Sequence, residues 1–178
     1  MRRAKAQGSP RPNPPADIRP MGPDDYDGKA WVHYLSWQET YQGMLDAAYL
    51  EGRSLERCQE MARRWPERCL VAETEGQIVG FAAYGPCGDE DLPGCGEVFA
   101  LYVLRAFQGR GIGCALMDAC IKELGGVRAV ALWVLSDNER AIRFYERCGF
   151  FADGARKTVR LGTEKEESRM RFDCMADR

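Results

Sequence analysis

The residues best suited to chemistry lie in one short run, Gln108-Gly109-Arg110-Gly111-Ile112-Gly113. Its glycines keep side chains out of the way, so an anion can come close to main-chain N–H groups. Before it stands Glu97-Val98-Phe99-Ala100-Leu101-Tyr102-Val103, apolar and rich in β-formers, which predicts a strand. After it, Ile112, Ala115, Leu116, Ala119 and Cys120 fall on one helical face, which predicts a helix to Leu124. The run therefore joins a strand to the first turn of a helix. That turn exposes unpaired N–H groups at the positive end of the helix dipole. Arg110 adds a charge beside it. The predicted chemistry is a cradle for a phosphate or pyrophosphate.

Spacing decides which cradle. No Gly-Lys-Ser/Thr occurs, so a P-loop is excluded. In a dinucleotide fingerprint counted from Gly109, the third glycine would fall at Cys114, so that pattern fails too. What stands is Q-x-x-G-x-G. It resembles the [QR]-x-x-G-x-[GA] signature of the GCN5-related N-acetyltransferases, the GNAT family. Farther on, Leu132-Trp133-Val134-Leu135-Ser136-Asp137-Asn138 leads into Ala141, Tyr145, Gly149 and Phe150. This resembles the same family's strand followed by N-x-x-A-x-x-x-Y-x-x-x-G-F.

The resemblance implies acetyl-CoA as co-substrate, without a metal. Gln108, Gly109, Arg110, Gly111, Ile112 and Gly113 would grip its pyrophosphate. The backbone around Leu101, Tyr102 and Val103 would hold the pantetheine and polarise the acetyl carbonyl. Asn138 would bond the cofactor, or cap a helix, or both. Tyr145 would protonate the departing thiolate; the competing reading is a core tyrosine. Glu97, at the start of the central strand, would deprotonate the amine, often through water; the competing reading is a solvated acid. Relatives that modify ribosomal-protein N-termini carry a glutamate where this chain has Trp133, which argues against a peptide N-terminus as acceptor. Trp37, Tyr41 and Tyr84 would line the acceptor pocket, with ordinary core packing as their alternative. His33 reads as a surface or core histidine.

These groups need elements to hold them. A strand is expected at Asp17–Met21, then a helix capped by Asp24 or Asp25 and running to about Trp37. A helical region over Asp46–Trp65 divides near Gly52, and Pro66 ends it. Strands follow at Cys69–Glu73 and Gln77–Tyr84 around a Glu75-Gly76 turn. Beyond the central strand and its helix come a strand over Arg128–Leu135 and a helix over Asn138–Cys148. Strands at Phe150–Leu161 and Glu166–Cys174 close the chain. The fold class is α/β. The family resemblance makes it a GNAT fold, a mixed sheet of about seven strands with splayed parallel strands 4 and 5 and about four helices. Residues 1–16 form a flexible basic, proline-rich tail and 17–178 the acetyltransferase domain.

Composition narrows the function. The 178 residues suit one domain with a sizeable core. The net charge is -2, and the body without its basic tail is more acidic, which argues against general nucleic-acid binding. No apolar run could span a bilayer, and no signal peptide opens the chain. The eight cysteines form no C-x-x-C pair and read as reduced thiols of a cytoplasmic protein. The leading function is transfer of acetyl from acetyl-CoA to the primary amine of a small molecule by direct attack. A non-catalytic acyl-CoA sensor and a protein-lysine acetyltransferase are the alternatives. The resemblance also implies a homodimer, the usual family state.

Overall fold

The computed structural model describes residues 16–174, so nearly all of the expected tail lies outside the described residues. The elements in order are β1 (Asp17–Pro20), α1 (Tyr26–Tyr41), α2 (Ala47–Glu51), α3 (Leu55–Arg64), β2 (Cys69–Thr74) and β3 (Gln77–Pro86). Then come β4 (Gly96–Val103), α4 (Ile112–Glu123), β5 (Ala129–Leu135), α5 (Glu139–Arg147), β6 (Phe151–Leu161) and β7 (Thr163–Asp173). Short 3-10 turns at Pro23–Asp25 and Arg105–Phe107 precede α1 and the glycine run.

The strands form one seven-stranded sheet in the order β1-β2-β3-β4-β5-β7-β6. Only the β4–β5 pair is parallel; its neighbours are antiparallel hairpins and ladders. One face carries α4, where Leu116, Met117 and Cys120 pack with Leu70, Val98, Val130 and Leu132. The partly buried Ala141, Ile142 and Tyr145 of α5 join that face. The other face carries α1, whose Val32 packs with Val71 and Phe81. The sheet therefore sits between two helical layers.

Four details differ from expectation. There are five α-helices where about four were expected: the helical region divides near Gly52, as its sequence suggested, into α2 and α3, and each has its own cap. Asp46 accepts from Ala48 and Tyr49, and Ser54 accepts from Arg57. α1 runs to Tyr41, since the rings of Trp37 and Tyr41 pack against each other, tilted and 4.5 Å apart, and the left-handed Gly43 (φ 82°) comes only after them. β7 starts at Thr163 because the turn at Gly162 (φ 78°) is tight enough to pair Leu161 with Thr163. Asp25 does not cap α1 with its side chain. It accepts from the Gly22 N–H and binds Arg19, whose guanidinium holds its carboxyl below the usual range.

Residues 87–95, between β3 and β4, are tied down by a buried arginine. Arg169 of β7 contacts Asp89 (2.9 Å), Asp91 (2.6 Å) and Asp153 (2.8 Å), and Asp153 is as deeply buried as Arg169 itself. Removing the cation would strand a buried carboxylate. Arg169→Met is expected to cost about 3 kcal/mol in urea unfolding; a loss below about 1 kcal/mol would place this cluster among ordinary surface pairs.

Candidate active site

The site begins as a defect in the sheet. Along β3, Ala83 pairs with Ala100 while the next residue, Tyr84, pairs with Val98. Phe99 is the extra residue, a β-bulge, and a bulge bends and twists its strand. On the other side, β4 and β5 pair only at Gly96–Val130 and Glu97–Ala131. From Val98 onward the two parallel strands part, as expected for strands 4 and 5. The gap opens into a cleft of about 570 Å³, lined by Val98–Val103 on one wall and Trp133–Leu135 on the other.

At one end the cleft meets the glycine run. Gly109 (φ 78°) and Gly111 (φ 86°) hold left-handed conformations, and a Cβ at either would meet open space. Backbone conformation is what requires glycine there. Gly113 differs: its Cβ would stand 3.0 Å from the Phe144 ring, so this glycine lets α4 lie close to α5. α4 starts at Gly111 without a side-chain cap, which leaves the N–H groups of its first turn for a ligand. Gln108 acts as a brace. Its amide donates to the Val103 carbonyl (2.8 Å) and its oxygen accepts from Arg140 on α5. Arg105, Arg140 and Arg147 line the cleft, whereas Arg110 turns back to the Ala106 carbonyl. Ile112 is core, so only its backbone could serve the cradle.

Farther along the cleft, three phenols converge. The hydroxyls of Tyr41 and Tyr102 lie 3.4 Å apart. Tyr145 feels Tyr41 electrostatically, and Tyr102 feels both. Tyr145 comes from the α4–α5 face and the other two from the α1 face, so they meet through the gap between β4 and β5. Burial raises all three phenols above their ordinary pKa, Tyr102 and Tyr145 strongly. They keep their protons at neutral pH. Glu39 and Glu167 also line this cleft. Glu39 accepts from the Arg105 N–H at 3.3 Å, and Glu167 lies 3.5 Å from Lys157 and close enough to act on Tyr41.

A model of the Acetyltransferase (GNAT) family matches residues 31–150. The chain belongs to this family. Membership carries the enzyme class, N-acetyl transfer, and the co-substrate, acetyl-CoA. The chain is 46% identical over 134 residues to a mycothiol acetyltransferase of Propionibacterium freudenreichii, a match covering 71% of this chain and 40% of that protein. It is 35% identical over 137 residues to an uncharacterized N-acetyltransferase of Archaeoglobus fulgidus, covering 72% and 88%. In fold it matches a Thermoplasma acidophilum N-acetyltransferase solved with coenzyme A, with TM-score 0.71 and 20% identity, over 89% of this chain and 99% of that one.

The remaining residues that the GNAT resemblance pointed to are divided by the structure. Asn138 lines the cleft and caps α5 by accepting from the Ala141 N–H (3.1 Å). Glu97 does not line the cleft. Paired with Ala131, it shares a sheet face with Trp133, and burial raises its carboxyl above the usual range, opposed by the Gly88 N–H. Trp37 lies behind Tyr41 with the Arg53 guanidinium 3.7 Å over its ring. Tyr84 points to the α4 face, near Cys120 and Glu123, away from the cleft. Tyr41 is thus the only one of the three expected wall aromatics in the lining. Among the described residues, no group of three or more His, Cys, Asp or Glu is placed to hold a metal ion, and no helix is long and apolar enough to cross a membrane.

His33 is a core group. Arg53 donates to its Nε2 (3.2 Å), so the ring proton sits on Nδ1, which is buried without a partner. Burial, with Lys29 and Arg53 nearby, holds its pKa down at about 3. An unfolded histidine titrates near 6.5. Below that pH the unfolded chain takes up a proton the folded one refuses, so stability is full above about 6.5 and falls as pH drops toward about 3. Wild type is expected to lose about 2 kcal/mol more than His33→Gln between pH 7 and pH 5 in urea titrations. Equal slopes would mean His33 is solvated.

Proposed function

We propose that the chain acetylates the primary amine of a small, cationic molecule, by direct attack on acetyl-CoA. The observation that supports this best is the composition of one cleft. It joins an anion cradle, through a gap between two strands, to a cluster of phenols with a glutamate beside it. The GNAT domain of this reading spans 17–178.

The pyrophosphate sits on the first turn of α4, with Gly109 and Gly111 giving the backbone its shape and Arg140 and Arg147 supplying charge. Gln108 holds that turn to β4 and α5. The pantetheine lies along Leu101–Val103 and takes the ladder positions that β5 gives up there; Asn138 steadies it while capping α5. A β4 N–H polarises the thioester carbonyl and holds the oxyanion as it forms. The amine enters past Tyr41, Tyr102 and Trp133, an aromatic wall that favours a compact cation. Glu167 attracts the ammonium form. Glu97 stands outside the lining, on the sheet face of Trp133, and takes the proton through water; burial raises its carboxyl toward the range of a base. Tyr145 carries its proton at neutral pH and delivers it to the leaving thiolate. The mycothiol acetyltransferase relative is consistent with a small acceptor, although the chain spans 40% of that protein's length.

The test is thiol release from acetyl-CoA with a panel of small amines and lysine peptides. Tyr145→Phe should lower kcat about 100-fold with little change in either KM. Glu97→Gln should lower kcat and shift the acidic limb of the pH profile. Glu167→Gln should raise KM for the amine about 10-fold, leaving KM for acetyl-CoA unchanged. Turnover only on peptides would replace the small-molecule reading with a protein-lysine acetyltransferase. Tight acetyl-CoA binding with no turnover on any amine would favour an acyl-CoA sensor.

A further inference from the structure

The Sγ atoms of Cys114 and Cys148 lie 3.5 Å apart. Cys114 stands in the first turn of α4 and lines the cleft. Cys148 directly follows α5 as its C-cap. Neither cysteine is in a disulfide and both residues are half-buried; Cys114 lines the cleft, so a small reagent entering there can reach the first of the pair. The two helices are already in tight contact one residue away, where Gly113 faces Phe144.

We propose that Cys114 and Cys148 form a modification site, a dithiol oxidised reversibly by a low-molecular-weight disulfide, and that its oxidation closes the cradle to acetyl-CoA. Cys114, as thiolate, attacks one sulfur of R–S–S–R. The new bond is Cys114–S–S–R; the leaving RS⁻ takes up the proton that Cys114 gave away. Cys148, as thiolate, then attacks the Cys114 sulfur and expels the second RS⁻, which takes up the Cys148 proton. Two protein thiols are oxidised to one disulfide, and one external disulfide is reduced to two thiols.

The link has a mechanical consequence. A disulfide bond is about 2.05 Å long, so the sulfurs must draw together by roughly 1.5 Å from their present contact. The Gly113–Phe144 contact leaves no slack for α4 and α5 to close as rigid bodies. The movement falls instead on the first turn of α4, whose N–H groups shape the cradle. This second half of the proposal rests on the cradle reading above; formation of the disulfide does not.

The purified full chain would be incubated with oxidised glutathione, its remaining thiols alkylated, and its peptides mapped without reduction. Acetyl-CoA affinity would be measured calorimetrically before oxidation, after it, and after dithiothreitol. The expected result is one cross-link, Cys114 to Cys148, with affinity lowered about 10-fold and restored by reduction. Cys148→Ser should bind acetyl-CoA as wild type does when reduced, and should trap glutathione on Cys114 when oxidised. A different pair overturns the site; Cys87 and Cys95, joined by a backbone hydrogen bond of 2.9 Å, are the alternative to look for. Glutathione left on wild-type Cys114 with no cross-link also overturns it. A Cys114–Cys148 link with unchanged affinity overturns the closure and keeps the disulfide. A reduced protein that fails to bind acetyl-CoA sinks the cradle reading, whatever the map shows.

Discussion

The structure depends on a sheet that stops pairing in its middle. A backbone amide left without a partner in a protein interior is costly. Yet β4 and β5 give up their ladder after two residue pairs, in the centre of a seven-stranded sheet. Such a break needs other partners for the vacated positions, either water or a ligand with amide-like donors and acceptors. Pantetheine, which carries amides along an extended chain, has that chemistry. The bulge at Phe99 supplies the bend, and the Phe99 ring lies over Gly85 of β3, where a Cβ would stand 2.9 Å from it. A glycine on the neighbouring strand thus accommodates the residue that opens the site. The gap also joins the two faces of the sheet, and this is how Tyr145 can approach Tyr41 and Tyr102.

The two ends of the cleft are held by different physics. At the glycine run, geometry is fixed by backbone conformation and by Gln108, which ties β4 to α5 through Arg140. This gives the first residue of Q-x-x-G-x-G a role in positioning: its amide is occupied by protein partners on both sides. At the end that carries Trp133 the anchor is electrostatic. Arg169 binds Asp89, and the Trp133 indole donates to the same carboxylate at 3.1 Å. The Lys157 ammonium lies 4.0 Å from the centre of the Trp133 ring. Trp133 is therefore fixed on both sides, and the segment carrying Asp89 and Asp91 is part of the site's frame.

Much of this was legible in the sequence because the cues were local. Alternation and helical spacing found the strands and helices, and the glycine run announced a bare-backbone turn from strand to helix through residue type alone. Most errors of extent came where tertiary contacts outweigh local signals, as when Trp37 and Tyr41 extend α1. The bulge at Phe99 has no sequence signal, since its residue is an ordinary strand-former. Tyr102 was read for its backbone, but its phenol joins the cluster. Glu167 was invisible because its relation to Tyr41 spans the whole chain and depends on β7 lying beside β5. Tyr84 shows the converse: its aromatic type suggested an acceptor wall, but along β3 it shares the α4 face with Ala82, on the other side of the sheet from α1.

The N-x-x-A-x-x-x-Y-x-x-x-G-F block can be read as one mechanical unit. Asn138 accepts from the Ala141 N–H and so fixes where α5 begins. With the start fixed, helical geometry sets which face Tyr145 presents, seven residues on. Gly149, left-handed at φ 91°, turns the chain directly after the helix. Phe150 then donates its N–H to the Tyr145 carbonyl at 3.0 Å, and its ring lies 6.2 Å from the Tyr145 ring. A residue three positions beyond the helix thus braces the tyrosine within it. A shift of one residue at either end of α5 would turn Tyr145 by about 100° and take it out of the gap. The spacing of the block is accordingly a statement about one phenol: the distances in sequence are those needed to hold it at the opening between β4 and β5.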